Sequence, residues 1–347
     1  MHIAVVTSSP PNVEGGHLVI ARALVDALTR SGHQPHLVVT PDYGFGRLTA
    51  SYRAARATNV TELDGAHIDR VISFRYPSFA VRHPRHVCWL NHTMREYYDL
   101  WPRFAASISW RNRIKEGVRK AVLHTADAWL LRHNVTRVVA QSKTIQQRVA
   151  SDFGIDADIV YPPAPLTGYR CDEYGDFVFS VSRLDPLKRV DLLVRALAEP
   201  AGRATRAVIA GEGECGAELR SLAQSLGVAD RVQFVGRIDD ARLIGFLATC
   251  RAVCFTPLAE DYGFVTIEAF ASGKPVITCA DSGGPAELVS QNQNGLVCDA
   301  TPAAIAAAIA RLTADRHEAE RLGSQAAAFA ATLTWDETVR RLCSTAR

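Results

Sequence analysis

Residues 260–268 read E-D-Y-G-F-V-T-I-E, with two carboxylates on either side of a glycine, and the chain continues A-F-A-S-G-K-P-V-I-T. Gly273 suits the position just past a helix and Pro275 forbids its continuation, so the spacing predicts a helix over 264–272. Glu260 then stands before that helix and Glu268 inside it. The amides near Gly263, Phe264 and Val265 have no partner within the helix and favour an anionic or hydroxyl-rich ligand, which Gly263 allows close to the backbone. A capped helix with solvated acids is the competing reading, since acidic residues collect at helix N-termini.

Upstream, S-V-S-R-L-D-P-L-K-R places Arg183 and Lys188 five residues apart across a proline turn. Two fixed cations there suit a diphosphate, the arginine as a bidentate fork and the lysine as a point charge; a solvated basic turn is the alternative. A-G-E-G-E at 210–214 follows one apolar run and F-V-G-R at 234–237 closes the next. The backbone around Gly211, Val235 and Arg237 can line the flat slot of a base, although glycine after a strand is also ordinary turn chemistry. Near the N-terminus, S-S-P-P-N-V-E-G-G-H brings Gly15 and Gly16 before a helix, where amides can approach a phosphate. The G-x-G-x-x-G spacing of a dinucleotide-binding loop is missing there, and Asp42 beyond the second apolar run does not replace it.

These segments need elements to hold them. Short apolar runs at 3–6, 35–40, 71–74, 86–90 and 137–141 alternate with helical patterns, the first over 18–30. A second series at 177–181, 206–210, 232–235, 252–256, 275–278 and 295–298 does the same, with a helix at 190–198. The alternation predicts an α/β chain of two doubly wound, Rossmann-like domains, each a parallel sheet wrapped by helices. Y-P-P-A-P at 161–165 blocks both helix and central strand, and the residues from there to about Asp176 read as an interdomain linker. The expected division is residues 1–165, residues 166–332, and a C-terminal helix over 333–347 that packs back toward the first domain, capped at Thr334, Trp335 and Asp336. The alanine-rich stretch 302–332 reads as helical. Ligands of such sheets sit beyond the carboxyl ends of the strands, so the motif loops are expected to converge on the interdomain cleft.

The 347 residues, 48% of them hydrophobic, suffice for two globular cores. No apolar run reaches the roughly eighteen residues of a membrane span, and the N-terminus lacks the charged flank of a signal peptide, so the cytoplasm is the expected compartment. Eight cysteines are scattered without a C-x-x-C pair. Cys250 and Cys254 have no histidine beside them, which favours reduced packing thiols over a zinc site. A net charge of +3 gives no argument for nucleic acid, but residues 82–148 hold thirteen Lys or Arg against four acids. Within them W-R-N-R-I-K-E-G-V-R-K-A-V-L, 110–123, reads as an amphipathic helix. Its apolar residues Ile114, Val118 and Val122 are expected to face the core, with a membrane surface as the alternative.

The succession of Arg183/Lys188, A-G-E-G, F-V-G-R, residues 260–268 and G-G-P-A-E at 283–287 at the ends of successive strands resembles the glycosyltransferases of the GT-B fold, most closely the large retaining family 4, over essentially the whole chain. The resemblance implies transfer of a sugar from a GDP- or UDP-linked donor to an acceptor hydroxyl, with residues 1–165 as the acceptor side and 166–332 as the donor side. In it Arg183 and Lys188 hold the donor diphosphate. Glu268 binds the ribose hydroxyls, and Glu260 contacts the donor sugar near the reacting carbon. The amides of Gly263, Phe264 and Val265 take sugar or phosphate oxygens, the Gly15–Gly16 loop approaches the diphosphate, and residues 235–237 face the base. W-L-N-H-T-M-R-E-Y-Y-D-L-W at 89–101 is similar to the H-T-P-M-R-type segments of bacterial mannosyl- and related sugar-transferases, without their proline; by that likeness His92 lies against the donor sugar.

Retaining enzymes of this fold lack an obvious carboxylate nucleophile, and no second acid occupies a motif position beside Glu260 here. Front-face displacement is therefore expected, with a leaving phosphate oxygen taking the acceptor's proton. No D-x-D sits in a suitable loop, so neither a metal nor another cofactor is expected. A small molecule, a glycan or a lipid-linked sugar all suit as acceptor, in glycan or natural-product biosynthesis, and peripheral attachment at the inner membrane face is the alternative to a purely cytoplasmic enzyme. Two other readings remain open. One is a GT-B epimerase or phosphorylase, the latter needing a pyridoxal-bearing lysine where Lys188 and Lys274 are the only lysines in the second domain; the other is a non-catalytic nucleotide-sugar-binding subunit.

Overall fold

The computed structural model describes residues 1–10 and 15–344. The chain divides into two compact units, Met1–Pro162 with Thr334–Arg347, and Pro163–Leu333. The boundary falls inside the proline run, at 162/163 where the sequence suggests 165/166.

In the first unit six parallel strands lie in the order Gln34–Pro41, His2–Ser9, Arg70–Ser73, His86–Leu90, Arg137–Ala140, Asp158–Ile159. In the second the order is Val232–Gly236, Arg206–Ala210, Phe177–Val181, Ala252–Cys254, Val276–Cys279, Gly295–Cys298, again all parallel. Helices cover both faces of such sheets, which explains why the central strands are continuous rather than alternating apolar runs, as at Ile3 to Val6 and Val276 to Cys279. In each sheet the chain builds outward on one side of its first strand and then on the other. The strand order therefore reverses between His2–Ser9 and Arg70–Ser73, and between Phe177–Val181 and Ala252–Cys254. Loops leaving the two strands at a reversal part in opposite directions and leave a crevice at their carboxyl ends.

The last helix, Trp335–Cys343, belongs to the first unit. Thr334 caps it by accepting from the Glu337 amide at 3.3 Å. Its carbonyl end is held by two arginines from the sheet, Arg70 donating to Leu342 O at 2.9 Å and Arg137 to Arg341 O at 2.9 Å, which satisfies carbonyls the helix itself leaves open. Trp335 meets the buried Trp89 edge-on, with ring centres 6.4 Å apart.

One expectation from the sequence is refined and one needs correction. The alanine-rich stretch is two helices, Pro302–Ala314 and Arg316–Thr332, because Asp315 adopts an extended backbone and caps the second one through the Glu318 amide at 3.0 Å. The helix expected over 110–123 runs over Trp110–His133, and it does not turn Ile114, Val118 and Val122 to the core; each is at least 60% exposed. The buried face carries Glu116, Leu123, Asp127, Leu130 and Leu131 instead. Buried tyrosines make that choice tenable: Tyr97 donates to Glu116 and Tyr98 to Asp127, each at 2.6 Å, and Tyr52 also donates to Asp127. Burial still pushes the Asp127 carboxyl up to about 6, with the two tyrosine hydroxyls pulling it back.

Candidate active site

In the second unit the motif loops are stitched to one another at the carboxyl edge of the sheet. The loop after Phe177–Val181 begins with Ser182 N bonded to Ala210 O at 3.2 Å and Leu184 N to Glu212 O at 2.9 Å. Gly211 N in turn reaches Gly236 O at 2.8 Å. A side chain on Gly211, whose φ is +121°, would put its Cβ 1.8 Å from Ser182 O, and one on Gly213 would come 2.3 Å from Leu184 O. Close strand-end packing thus accounts for both glycines of A-G-E-G. Val235 is half-buried at the end of Val232–Gly236, and Arg237 beyond it is exposed.

Asp185 then folds the proline turn. Its carboxylate accepts from the Leu187 amide at 3.0 Å and the Lys188 amide at 3.3 Å, and from Arg183 Nε at 3.0 Å. The two motif cations end in different surroundings. Arg183 stands out with 77% of its side chain exposed. Lys188 is largely covered, its ammonium 2.7 Å from Glu260 Oε2 and 5.9 Å from the centre of the Phe255 ring.

Glu260 is placed by backbone pairing, not by its own side chain. Glu260 N donates to Ser282 O at 2.9 Å and Gly284 N returns to Glu260 O at 2.8 Å, so the G-G-P-A-E segment runs directly along it. A Cβ on Gly283 would meet Glu260 O at 2.4 Å, and one on Gly284 would meet the Tyr262 backbone at 2.5 Å. Gly263, with φ +78°, sits before the helix Phe264–Ala271, where a Cβ would strike Pro285 at 2.7 Å. The helix end observed at Ala271 is one residue short of that expected. Its first turn closes with Thr266 N on Gly263 O at 2.9 Å, leaving the Phe264 and Val265 amides directed beyond the helix start.

Glu268 lies one turn further on and is buried, 8% exposed, with Tyr169 donating to Oε1 at 3.2 Å. Burial pushes its carboxyl up to about 7; the Tyr169 hydrogen bond opposes this and the Asp240 charge adds to it. Tyr169 falls in a stretch the sequence marks only as linker, so nothing in its surroundings singles it out. Arg189 is a second residue that sequence reasoning missed. It adopts φ +49°, reaches the carbonyls of Thr256 at 2.9 Å and Pro257 at 2.8 Å, and forks onto Asp281 at 2.7 and 2.6 Å. This arginine ties three loops together beside Lys188 and holds the Asp281 carboxyl below its ordinary range. Its adjacency to Lys188 in L-K-R was the available signal. Lys274, by contrast, is fully buried, donating to Glu173 O and lying 3.9 Å from the centre of the Tyr174 ring, so it is a structural cation and not a cofactor-bearing one.

In the first unit, Pro11, Asn12, Val13 and Glu14 of the glycine loop lie outside the described residues. Gly15 caps the helix Gly16–Arg30 without a side chain, and Gly16 is exposed at its start. His92 follows the strand His86–Leu90 and is half-buried. Its Nδ1–H donates to Thr93 O at 2.7 Å, which leaves Nε2 as an acceptor. Burial first, then the Arg75 charge, push its pKa well down, so the imidazole is neutral at physiological pH. His17 responds the same way and falls to about 4. Arg75 links this group to Asp42, Nη2 to Oδ2 at 3.5 Å. His17 closes the quoted G-G-H segment without having been given a role there, and Arg75 stood in no motif. Among the described residues no group of three or more His, Cys, Asp or Glu gathers as metal ligands, no helix is long and apolar enough to cross a membrane, and all eight cysteines are free.

Residues 170–329 match the family model described as glycosyl transferases group 1. The D-inositol 3-phosphate glycosyltransferase of Nocardia farcinica is 34% identical over 232 residues, 59% of this chain and 51% of that protein. The GDP-mannose-dependent alpha-(1-6)-phosphatidylinositol monomannoside mannosyltransferase of Mycobacterium tuberculosis is 35% identical over 209 residues, 53% of this chain and 54% of that protein. The matched segment thus spans about half the length of these curated relatives. Among solved structures, Anabaena HepE in complex with UDP and glucose superimposes with a TM-score of 0.68 at 18% identity, covering 97% of this chain and 98% of its own. The sucrose-phosphate synthase of Thermosynechococcus elongatus does so with a TM-score of 0.74 at 19% identity, covering 98% and 97%. At such identities the likeness establishes the fold, which is GT-B.

Proposed function

We propose, for a chain of GT-B fold whose second unit carries a group 1 glycosyltransferase domain, that it moves a hexose from a GDP- or UDP-linked donor to an acceptor hydroxyl with retention at the anomeric carbon. The observation that carries this reading is the Lys188–Glu260 pair. In a sugar nucleotide the diphosphate is bonded directly to the anomeric carbon, so a cation for phosphate oxygen and a carboxylate for a sugar hydroxyl are wanted side by side. They are 2.7 Å apart, one from the loop after Phe177–Val181 and one from the loop after Ala252–Cys254, the two strands at which the sheet order reverses.

The chemistry follows from the charges. The bond from the anomeric carbon to the phosphate oxygen breaks toward Lys188 and Arg183, and the acceptor oxygen bonds to the same face of that carbon. The acceptor's proton passes to the departing phosphate oxygen. Lys188 and the start of Phe264–Ala271 offset the negative charge that grows there. Glu260 orients the sugar, Glu268 takes the ribose hydroxyls, and neutral His92 offers Nε2 as an acceptor to a donor-sugar hydroxyl. The acceptor class is a polyol hydroxyl of the inositol type, free or lipid-linked, supported by the names the curated relatives carry. Eight free thiols are consistent with a reducing compartment, the cytoplasm.

Glu260→Gln keeps the shape but removes the charge that faces both the sugar and Lys188. It is expected to lower kcat roughly ten- to a hundredfold, the worth of one charge-assisted hydrogen bond, with donor KM little changed. Steady-state kinetics with several nucleotide sugars, products identified by mass and anomeric configuration by proton coupling, test the reading; an inverted product, or an unaffected Glu260→Gln variant, rejects it. Because side-chain cations and a helix start take the place of a metal in this scheme, activity should survive EDTA. Complete loss, restored by Mg²⁺ or Mn²⁺, would show that the diphosphate is held through an ion.

A further inference from the structure

The helix Trp110–His133 of the first unit presents an apolar ladder to solvent. Trp110, Ile114, Val118 and Val122 recur every fourth residue, and with Trp129 they are 51–66% exposed. The opposite face, with Glu116 and Asp127, is the one that packs on the unit. A contiguous stripe of large apolar side chains held outward marks an interaction surface.

The charges around it identify what that surface fits. The helix carries six Lys or Arg and two acids, and both acids are buried. Glu116 accepts from Tyr97 and from Arg119 at 2.8 Å, and Asp127 accepts from Tyr98 and Tyr52. No carboxylate of the helix is therefore left on the exposed side, where Arg111, Arg113, Lys115 and Arg132 stand, with Arg103 on the preceding helix Trp101–Ser107. Two of the cations rest on indoles, Arg111 5.3 Å from the centre of the Trp110 ring and Lys120 5.1 Å from that of Trp101. Paired indoles and cations suit the level of lipid headgroups, where an aromatic ring finds an apolar side and a wet one. A second copy of the same face would oppose cation to cation, which disfavours a symmetric dimer through it.

We propose that this helix lies on an anionic bilayer, its apolar ladder entering the boundary of the acyl chains and its cations meeting lipid phosphates. The surface is independent of the sugar-transfer reading, since no residue of the donor site takes part.

Flotation of the full chain with phosphatidylglycerol/phosphatidylcholine vesicles, against phosphatidylcholine alone, tests it. Binding is expected only to the anionic vesicles and should be lost at about 0.5 M salt, where the Debye length is only a few ångströms. Val118→Glu with Val122→Glu, and separately Arg111→Glu with Lys115→Glu, should each lower vesicle partition about tenfold or more, since each cation near the surface adds on the order of a fivefold preference. All four positions are exposed, and circular dichroism verifies that the variants remain folded. Absence of binding to anionic vesicles overturns the proposal, as does binding that neither pair of substitutions alters. So does a wild-type dimer by light scattering that Val118→Glu with Val122→Glu dissolves, because the face would then be covered by a second copy.

Discussion

Lys188→Ala is expected to weaken donor binding and lower turnover together, kcat/KM falling roughly ten- to a hundred-and-fifty-fold, the equivalent of about 1.5–3 kcal/mol for one charge-assisted contact to phosphate. The structure gives this residue a larger part than its partner in the motif. Its side chain is largely covered and its ammonium sits 2.7 Å from Glu260, whereas Arg183 is 77% exposed and tied to Asp185 of its own turn. A cation shielded from water acts on a phosphate at lower effective dielectric than an exposed one, so Arg183→Ala should cost several-fold less. Lys188→Met, which keeps the aliphatic stem against Phe255, separates the lost charge from lost packing. Titration of nucleoside diphosphate into each variant is the direct measurement. Equal losses for Arg183→Ala and Lys188→Ala would contradict the ranking, and no loss in either, with the fold intact, would remove the diphosphate from this loop.

Glu268→Gln is expected to stabilise the protein in alkaline solution while impairing its grip on nucleotide. The Glu268 carboxyl keeps its proton up to about 7 in the folded chain, because burial disfavours the charge, whereas an unfolded chain releases it near 4.5. Between those values the folded state binds the extra proton, so the stability associated with this group is fully present below about 4.5 and is lost as pH rises through 7. Glutamine has no proton to lose. The variant should match wild type near pH 4.5 and exceed it by about 3 kcal/mol in unfolding free energy above pH 8. Ribose hydroxyls donating to the carboxylate would favour its charged form, so affinity of the wild type for nucleoside diphosphate should climb as pH rises through 7 and stay flat in Glu268→Gln. Denaturant melts at pH 5 and pH 8 with parallel nucleotide titrations measure both; a stability difference that does not change with pH would show that the buried carboxyl is not the cause.

Much of the second unit's arrangement is legible in residue order because local chemistry fixes it. Gly273 and Pro275 end the helix Phe264–Ala271 within a residue of where their backbone preferences put it. Apolar runs of four or five residues become the strands of two parallel sheets, and the glycines of A-G-E-G and G-G-P-A-E fall where backbones approach too closely for a Cβ. The reach of Arg189 to Thr256, Pro257 and Asp281 was not legible, since an arginine beside a lysine on a turn looks like any solvated cation until the facing loop is in place.

The amino-acid sequence alone determined the period of each element, the positions at which the chain must turn, and which charged residues stand at strand ends, because these depend on neighbours within a few positions. Only the tertiary structure decided which charges meet. Lys188 and Glu260 are 72 residues apart in the chain and 2.7 Å apart in space, and the Glu268 carboxyl is pushed up to about 7 because the surrounding core buries it, against the opposing pull of the Tyr169 hydroxyl. It also decided the orientation of Trp110–His133. Periodicity identified an apolar face but could not say where that face points. Three tyrosine hydroxyls, brought from elsewhere in the first unit, satisfy Glu116 and Asp127 in the interior, so the polar side is buried and the side bearing Ile114, Val118 and Val122 is left in contact with solvent.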